Sequence, residues 1–377
     1  MTPKIPQAPS DRREFLSQVE HTLRGGKNST ILGGLRFGKT FLAKEIQKRL
    51  SGELLTLFLD LDHIALTPEN FSLELIAKAI AQGRGAKKAD IRLQDTTYLL
   101  SLEKEMGKDA FSHLSSVQNE LQKIKPDQRL LVQSAFSFCV ALASYLKKKA
   151  IVIADNAEHF LELNNFSRID DVFSLLTSQK MTFLFASSAI LEMKKLGSVE
   201  HFLIPALCEG EVETLVKRLA PRAEKKDCQE IMRLSRGHPH VARILAAKLS
   251  QGIAPSRAFA DEILSRDGAL FRYGEDAFAY YYSRARGQTL IKLLLRTVAQ
   301  EELRLSDLAR KIYRSAPVTK SLLERLITVD AIEKRGKVFM VCDPLLGIWL
   351  KSVSEGKDVD DISEIDERTA QEVARGS

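Results

Sequence analysis

The chain has 377 residues, of which 44% are hydrophobic and 28% are charged, so it is long enough to bury a sizeable core. The composition excludes a chain that stays unfolded for want of apolar residues, and the length predicts two or three domains. The net charge is +7 overall, but the residues after Ser354 hold eight acidic and three basic side chains, which leaves the rest near +12. That charge is compatible with nucleic acid or an acidic partner and is specific to neither.

The cysteines and the apolar segments indicate a compartment. The four cysteines are widely spaced, without a CxxC pair, which is typical of a reducing cytoplasm and excludes a disulfide scaffold. The N-terminus lacks the apolar core of a secretory signal. Residues 130–146, "LLVQSAFSFCVALASYL", are uncharged, but they fall short of the ~20 residues of a membrane span and run into an apolar strand. They predict a buried helix, and we expect no membrane association.

Short apolar runs of strand length recur over the first 205 residues, at residues 30–32, 54–61, 150–154, 181–186 and 201–207. Most are continuous rather than alternating, as expected for parallel strands that helices cover on both faces. Helical patterns separate them. The pattern predicts an α/β core over residues 1–205, a parallel sheet between two layers of helices, with ligand loops at the carboxyl ends of the strands.

The second half of the chain reads differently. Residues 206–286 contain three amphipathic helical patterns, "EGEVETLVKRLAP", "KKDCQEIMRLSRG" and "HVARILAAKLSQG", and predict a small helical domain. Residues 287–354 contain three further helices, the second capped by Ser306 and the third by Thr319, and then a hairpin around Gly336, which is the outline of a winged helix-turn-helix. The acidic tail, residues 355–377, is predicted to be disordered.

The segment "GGLRFGKT" matches the phosphate-binding pattern G-x-x-x-x-G-K-[ST]. A strand precedes it and an amphipathic helix follows it, which is the context that the motif requires. Backbone N–H groups would turn inward around the phosphates, Lys39 would reach the β- and γ-phosphates, and Thr40 would hold Mg²⁺. Side chains at Gly33 or Gly38 would obstruct that turn. The predicted nucleotide-binding residues of this segment are Gly33, Gly34, Leu35, Arg36, Phe37, Gly38, Lys39, Thr40 and Phe41.

The catalytic candidates besides Lys39 follow the apolar strand "AIVIAD". Asp155 ends that strand and is predicted to bind Mg²⁺ with Thr40. Many phosphate-loop ATPases have a glutamate next, but the next residue here is Asn156, which cannot act as a base, and Glu158 is the nearest acid that could. Ser187 ends another strand and is either a γ-phosphate sensor or part of a serine turn. Nucleotide binding is therefore predicted more firmly than fast hydrolysis.

Taken in order, these motifs resemble the STAND class of P-loop ATPases, and most closely the prokaryotic archaeal-type ATPase family, which is related to AAA+ proteins. "GGLRFGKT" is similar to the family's Walker A motif, and "IVIADN" to its Walker B motif, with a departure at Asn156. "DRREFL" looks like the family's N-terminal motif, "SRGHPHV" contains its G-x-P motif, and "MVCDPLLGIWL" looks like the segment that closes its winged helix. The resemblance implies that residues 206–286 form a helical lid, that Arg12 and Arg13 lie near the nucleotide, and that His238 and Pro239 face it from the lid. By spacing alone, Gly237 and Pro239 are equally typical of a helix end followed by a helix start.

The resemblance implies a nucleotide-controlled switch, in which bound ATP fixes the orientation of the lid and the winged helix reports that state to a protein partner or a second copy. Two alternatives remain open. A DNA-binding protein of the origin-recognition or transposition-helper kind would use the winged helix, where residues 286–354 hold 13 basic and seven acidic side chains. Its contacts would be Lys320, Arg325, Arg335 and Lys337. A scaffold that holds ATP without turnover would follow from Asn156. No motif separates ATP from GTP.

Overall fold

The computed structural model describes residues 12–85, 98, 103–166, 169, 171–287 and 289–352. By the density of contacts along the chain these residues form two compact units. The first unit holds the residues up to 33, residues 38–188 and residues 193–204, and the second holds residues 34–37, 189–192 and everything from residue 205 on. The predicted acidic tail, residues 355–377, lies outside the described residues.

The first unit is built on a parallel five-stranded sheet with the order β2-β3-β4-β1-β5. Its strands are β1 (Ser29–Leu32), β2 (Leu55–Asp60), β3 (Ala150–Asp155), β4 (Thr182–Ser187) and β5 (Glu200–Leu203). Each lies on one of the apolar runs that predicted it, and β1 and β3 are buried along their whole length. Because β4 lies between β1 and β3, its last residue, Ser187, pairs with Leu32 and stands one register step beyond the level of Asp155. The parallel α/β core predicted from the sequence is confirmed.

Along the chain, helices precede β1 and separate the later strands. They are α1 (Arg12–Arg24), α2 (Lys39–Leu50), α3 (Pro68–Gly83), α4 (Glu103–Met106), α5 (Lys108–Leu121), α6 (Gln128–Tyr145) and α7 (Val172–Thr177), with 3-10 helices at Leu61–His63 and Ala157–Asn165. The apolar segment 130–146 forms most of α6, which packs against α3 and α5. Phe136 of α6 contacts Phe71 and Phe183 in an aromatic core. Among the described helices, none combines the length and apolar character that crossing a membrane requires.

The second unit begins with the short helix α8 (Ile190–Met193), whose last residue groups with the first unit, and continues as a helical array. Its next helices are α9 (Glu209–Leu219), α10 (Lys225–Ser235), α11 (Pro239–Ser250), α12 (Pro255–Leu264) and α13 (Ala269–Arg284). The first three of these five follow the three amphipathic patterns predicted for the lid. Helices α12 and α13 were not singled out in the sequence, and α13 carries side chains that become important below.

The rest of the second unit, residues 289–352, is called here the helix–hairpin region. Its elements are α14 (Thr289–Gln300), β6 (Leu303–Arg304), α15 (Leu305–Lys311), α16 (Ala316–Thr328), β7 (Ile332–Arg335), β8 (Val338–Val341) and α17 (Pro344–Ser352). The strands form an antiparallel sheet in the order β6-β8-β7. Gly336 closes the hairpin with a φ of 61°, a conformation that glycine adopts without steric cost.

Two predicted helix caps in this region are wrong. Helix α15 begins after Arg304, so Ser306 lies inside its first turn, and α16 begins after Ser315, so Thr319 lies inside α16 and donates to the Ser315 carbonyl. Pro317 explains the second error, because proline fits the first turn of a helix and extends α16 backwards from the expected start.

The segment "DPLLGIW" closes the second unit through two contacts to α13. Asp343 Oδ1 accepts hydrogen bonds from the N–H groups of Leu345 and Leu346, which begins α17, and its Oδ2 accepts the hydroxyl of Tyr273. Trp349 is fully buried against Gly274, where an added Cβ would lie 2.2 Å from the indole. A single buried core extends from Leu207 to Leu350. The boundary predicted between lid and winged helix falls inside this unit and stays a prediction.

Candidate nucleotide-binding site

The phosphate loop, residues 33–40, connects β1 to α2. Gly38 has a φ of 95°, which an L side chain rarely adopts, and an added Cβ there would lie 2.8 Å from Arg12 Nη1. The glycine at position 38 is therefore required by the fold itself. Gly33 differs, because its added Cβ would make only ordinary contacts of 3.5 Å with Ile204, so the expectation that a side chain there obstructs the turn finds no support in the contacts within the protein. Arg12, predicted by resemblance, does lie beside the loop.

Lys39 is the first residue of α2, and it is buried, with 6% of its surface exposed. Its Nζ donates a hydrogen bond of 3.0 Å to the carbonyl of Gly33 across the loop. Burial lowers the pKa of Lys39 to about 8, although the negative charges of Glu158 and Asp155 raise it. The buried ammonium group is thus under the influence of two negative charges, and its pKa lies about one unit above neutral pH.

Asp155 ends β3 and is almost completely buried. Burial raises the pKa of Asp155 above its ordinary value, against a hydrogen bond from the Thr40 hydroxyl that lowers it. Its Oδ1 has no hydrogen-bond partner among the described residues. A buried carboxylate oxygen without a donor is costly in a protein that binds nothing there, and it suits a cation ligand. Thr40 and Asp155, the predicted metal pair, are therefore side by side.

Glu158 is buried in the 3-10 helix that follows β3, and it faces the end of β4. Its Oε2 accepts the hydroxyl of Ser187 at 2.6 Å, and its Oε1 accepts the backbone N–H of Ser188 at 3.3 Å. Its charge also acts on Lys39. The structure therefore brings together the predicted base, the predicted sensor serine and the phosphate-loop lysine at the carboxyl ends of three adjacent strands.

Asn156 explains how Glu158 reaches that position. It has left-handed backbone angles (φ 54°, ψ 46°), which asparagine tolerates better than most residues, and this turn starts the 3-10 helix. The Asn156 amide donates to Asp62 Oδ2 at 2.7 Å and to Asp60 Oδ1 at 3.5 Å, both of which follow β2 or end it. Asn156 thus satisfies two carboxylates at the end of β2, and a glutamate in its place would add a third negative charge there.

The tip of the phosphate loop, residues 34–37, belongs to the second unit and is held by side chains of α11 and α13. Arg36 adopts a φ of 53° and pairs with Asp276 Oδ2, while its Nη1 lies 3.1 Å from His240 Nε2. Burial, and after it the charge of Arg36, lowers the pKa of His240 to about 4, so His240 is neutral at pH 7 and accepts from the guanidinium. The Arg36 guanidinium also lies 5.9 Å from the centre of the Tyr273 ring.

The G-x-P segment packs on the same tip. Gly237 has a φ of 73°, and an added Cβ would lie 2.4 Å from the Leu207 carbonyl, so only glycine fits. His238 precedes α11, which starts with Pro239, as expected of a helix end followed by a helix start. The ring of His238 meets Phe37 edge-on at 5.0 Å and Tyr273 at 5.6 Å. Whether His238 and Pro239 also face a nucleotide stays a prediction.

The remaining predicted nucleotide-binding residues differ in their exposure to solvent. Phe41 is 70% exposed on α2, and Arg13 is exposed on α1. Gly34 and Leu35 are partly buried, and the Leu35 carbonyl lies 3.5 Å from the Tyr273 hydroxyl. The sequence reasoning missed Asp276, His240 and Tyr273, which lie more than 200 residues from the loop. Of these only His240, next to the G-x-P segment, stood beside a recognisable motif.

The four predicted DNA contacts do not all line one surface. Lys320 and Lys337 line a groove of about 500 Å³ between α16 and the hairpin. The Arg325 guanidinium donates to the carbonyls of Ala285 and Arg286 at the end of α13 and does not line the groove, and its role as a DNA contact stays a prediction. Arg335 pairs with Glu333 at 2.7 Å and does not line the groove.

The sequence matches no protein-family model, and it matches no curated protein. The structure is similar to a Walker-type ATPase of Pyrococcus abyssi, with a TM-score of 0.64, 16% identity, and coverage of 92% of this chain and 97% of that chain. Two weaker matches are the ORC2 protein of Aeropyrum pernix in ADPNP–ADP complexes (TM-score 0.49, 12% identity, 100% of this chain and 97% of that chain) and a STAND protein with a tetratricopeptide repeat sensor from Pyrococcus horikoshii (TM-score 0.38, 15% identity, 94% and 44%). The first likeness confirms the P-loop ATPase fold that the sequence motifs predict.

Proposed function

We propose that this chain is an ATP-binding switch of the archaeal-type P-loop ATPase kind and that it hydrolyses ATP slowly. The observation that carries the proposal is the buried cluster of Lys39, Asp155 and Glu158 at the carboxyl ends of adjacent strands, where Asp155 keeps one oxygen without a donor from any residue that the structure describes. Buried charges of both signs are costly to retain in a site that has only a structural role. The four free thiols favour a reducing, cytoplasmic setting.

The residues present fit a triphosphate with Mg²⁺. Lys39 and the backbone N–H groups at the start of α2 would bind the phosphate oxygens, and Thr40 and Asp155 would hold the metal. A bound magnesium ion neutralises charge on the phosphates. Glu158 would orient and polarise the attacking water, since the Asn156 turn brings it forward and its charge acts on Lys39. Because Asn156 follows Asp155 where many phosphate-loop ATPases have a glutamate, we expect the reaction to be slow.

Steady-state hydrolysis of ATP, with GTP as a competing substrate, tests this assignment. Glu158→Gln should retain nucleotide affinity and lower turnover by about 100-fold, the usual contribution of a general base. Glu162→Gln is the matched control, because Glu162 lies on the same 3-10 helix but is exposed and pairs with His159. Nucleotide binding without any turnover in the wild type would reject the ATPase and favour the scaffold that holds ATP unchanged.

The switch part of the proposal is supported by the contacts of the loop tip. Arg36 lies two residues before Gly38 and is tied to Asp276 and His240, and the adjoining Tyr273 donates to Asp343 at the start of α17. A nucleotide that reorganises the loop would therefore alter contacts that reach the helix–hairpin region, which we propose engages a protein partner or a second copy. Hydrogen exchange of residues 338–352 should change on ATP addition in the wild type but not in Tyr273→Phe. An identical response in both would exclude this route.

A DNA-binding role is the second candidate, and the basic side chains that line the groove favour it. Arg304 and Lys334 join Lys320 and Lys337 there, and the nearby turn between α15 and α16 carries Tyr313, which is 87% exposed. Anisotropy titrations on a nonspecific duplex should show affinity that falls steeply with salt. Absence of binding at low salt would remove this candidate.

A further inference from the structure

The groove of the helix–hairpin region has an apolar floor and a basic rim. Its floor is formed by side chains of α15, α16 and β8, and its rim by four cations and one carboxylate. The floor residues are Leu305, Leu323, Ile327 and Phe339, and the cations are Arg304, Lys320, Lys334 and Lys337. Among the described residues that line the groove, Glu324 is the single acid, 3.7 Å from Lys320. An occupant must therefore supply aliphatic side chains and negative charges together.

We propose that the acidic tail of this chain, through residues 357–367, occupies this groove. The segment "KDVDDISEIDE" carries six carboxylates and one lysine, and it places Val359, Ile362 and Ile365 at intervals of three. Its carboxylates match the rim, and its three aliphatic side chains match the floor. Duplex DNA would satisfy the rim alone, because phosphates and sugars do not fill an apolar floor. A segment of the same sequence thus supplies the negative charges and the aliphatic side chains that complement the groove.

The attachment point of the tail is suitably placed. Helix α17 ends at Ser352 and packs against β8, where Gly347 approaches Val341. Strand β8 also contributes Phe339 to the floor. Seven extended residues from Ser352 to Val359 reach about 23 Å, comparable to the breadth of a compact body of about 60 residues. A tether of this length holds the segment at an effective concentration on the order of millimolar, so weak contacts suffice for occupancy.

Cross-linking in the full-length chain tests the docking. Ser306 lines the groove and Ser363 lies between the two isoleucines, so the pair Ser306→Cys and Ser363→Cys is treated with a short bismaleimide in a Cys208→Ser, Cys342→Ser background. Ser363→Cys with Lys226→Cys, an exposed position on α10 outside the groove, gives the off-groove reference. We expect intramolecular cross-linking at least about tenfold faster for the groove pair, given the effective concentration of a seated tail. Equal rates for the two pairs would overturn the proposal.

Two sets of substitutions test the contributions of the rim and of the floor separately. Reversing Lys320, Lys334 and Lys337 to glutamate should slow cross-linking about tenfold, whereas Arg335→Glu, on the same hairpin but outside the groove, should have less than about a twofold effect. Ile362→Ser with Ile365→Ser keeps every tail charge and should also slow the reaction, which pure charge attraction would not predict. Insensitivity to both changes would overturn the proposal.

Further conditions distinguish the tail from misfolding of a variant and from other occupants of the groove. Raising the salt to about 1 M, where screening acts within about 3 Å, should slow cross-linking of the groove pair without any rim substitution. Cross-links between two copies, lost on dilution, or protection of the groove by duplex DNA with no contribution from the tail, would each overturn the intramolecular assignment. Because the experiment contains no nucleotide, its failure is independent of whether the chain binds ATP.

Discussion

The two charged regions of this molecule are built in opposite ways. In the proposed phosphate site, Lys39, Asp155 and Glu158 are buried and act on one another through low-dielectric surroundings. In the groove of the helix–hairpin region, Lys320, Lys334 and Lys337 surround an apolar floor at the surface. Coulomb interactions are several times stronger in the first setting than in the second, and salt screens them less.

This difference indicates how each region should respond to change. A buried charge that loses its partner is left uncompensated, so single substitutions in the phosphate site should have large effects that depend on pH. Each exposed cation contributes only a small part of the electrostatic attraction, so single substitutions in the groove should have small effects that depend on salt. The two regions can therefore be separated by magnitude and by the variable that controls them.

Replacing the phosphate-loop lysine should give the largest effect. Lys39→Ala should lower ATP affinity by about 100-fold, because it removes a charged hydrogen-bond donor to the phosphates and a positive charge that acts on Asp155 and Glu158. The measurement is calorimetric titration, with thermal unfolding as a check of folding. Lys44→Ala is the matched control, since Lys44 lies on the same helix but is exposed over the Phe58 ring. Retained affinity in Lys39→Ala would argue against a phosphate site at this loop.

Raising the pH should weaken ATP binding next most strongly. The pKa of Lys39 is lowered to about 8 in the free protein, so the lysine is charged below that pH and neutral above it. Phosphates bind the charged form, and affinity should therefore be level below pH 8 and fall up to about tenfold for each unit above it, with proton uptake on binding. In Lys39→Arg the cation persists, and the slope should vanish even if affinity is lower. An equal slope in both proteins would place the titrating group elsewhere.

Removing the hydroxyl that orients Glu158 should have an effect of about tenfold, since a carboxylate that is no longer held in place loses part of its alignment. Ser187→Ala deletes the 2.6 Å hydrogen bond to Glu158 Oε2 and should change turnover more than ATP affinity. Ser188→Ala is the control, because Ser188 bonds Glu158 through its backbone N–H, which the substitution keeps. If Ser187→Ala weakened binding and left turnover unchanged, Ser187 would be a phosphate contact instead.

The parts of the fold that the sequence predicted share a physical cause. Strands buried on both faces read as continuous apolar runs, and a loop that wraps a phosphate needs a contiguous motif, so both are local in sequence. Asp155 and Glu158 were proposed as site residues for the same reason, since the first ends a recognisable strand and the second follows it. Neither the depth of burial nor the Glu158–Ser187 hydrogen bond is local, because the order of the strands sets both.

The errors and omissions also have physical causes. Arg325 was chosen for its charge on the third helix of the predicted winged helix, and no sequence pattern indicates that its guanidinium binds two carbonyls at the end of α13. Arg304 was missed because the two-residue strand that carries it has no periodic signal. Tyr273 was missed because an aromatic residue on an amphipathic helix is typical of a core, and its hydroxyl partner, Asp343, is 70 residues away.

The smallest effect is expected from a single groove lysine. In the Ser306→Cys, Ser363→Cys pair, adding Lys334→Ala should slow cross-linking of the groove to the tail by only about two- to fivefold, because one exposed ion pair is worth at most about 1 kcal/mol. The reaction should also slow steadily with salt, whereas ATP affinity measured over the same range should depend on Lys39 at every salt concentration. If Lys334→Ala instead had an effect as large as Lys39→Ala, the groove would hold a buried, desolvated charge, and the contrast between the two regions would fail.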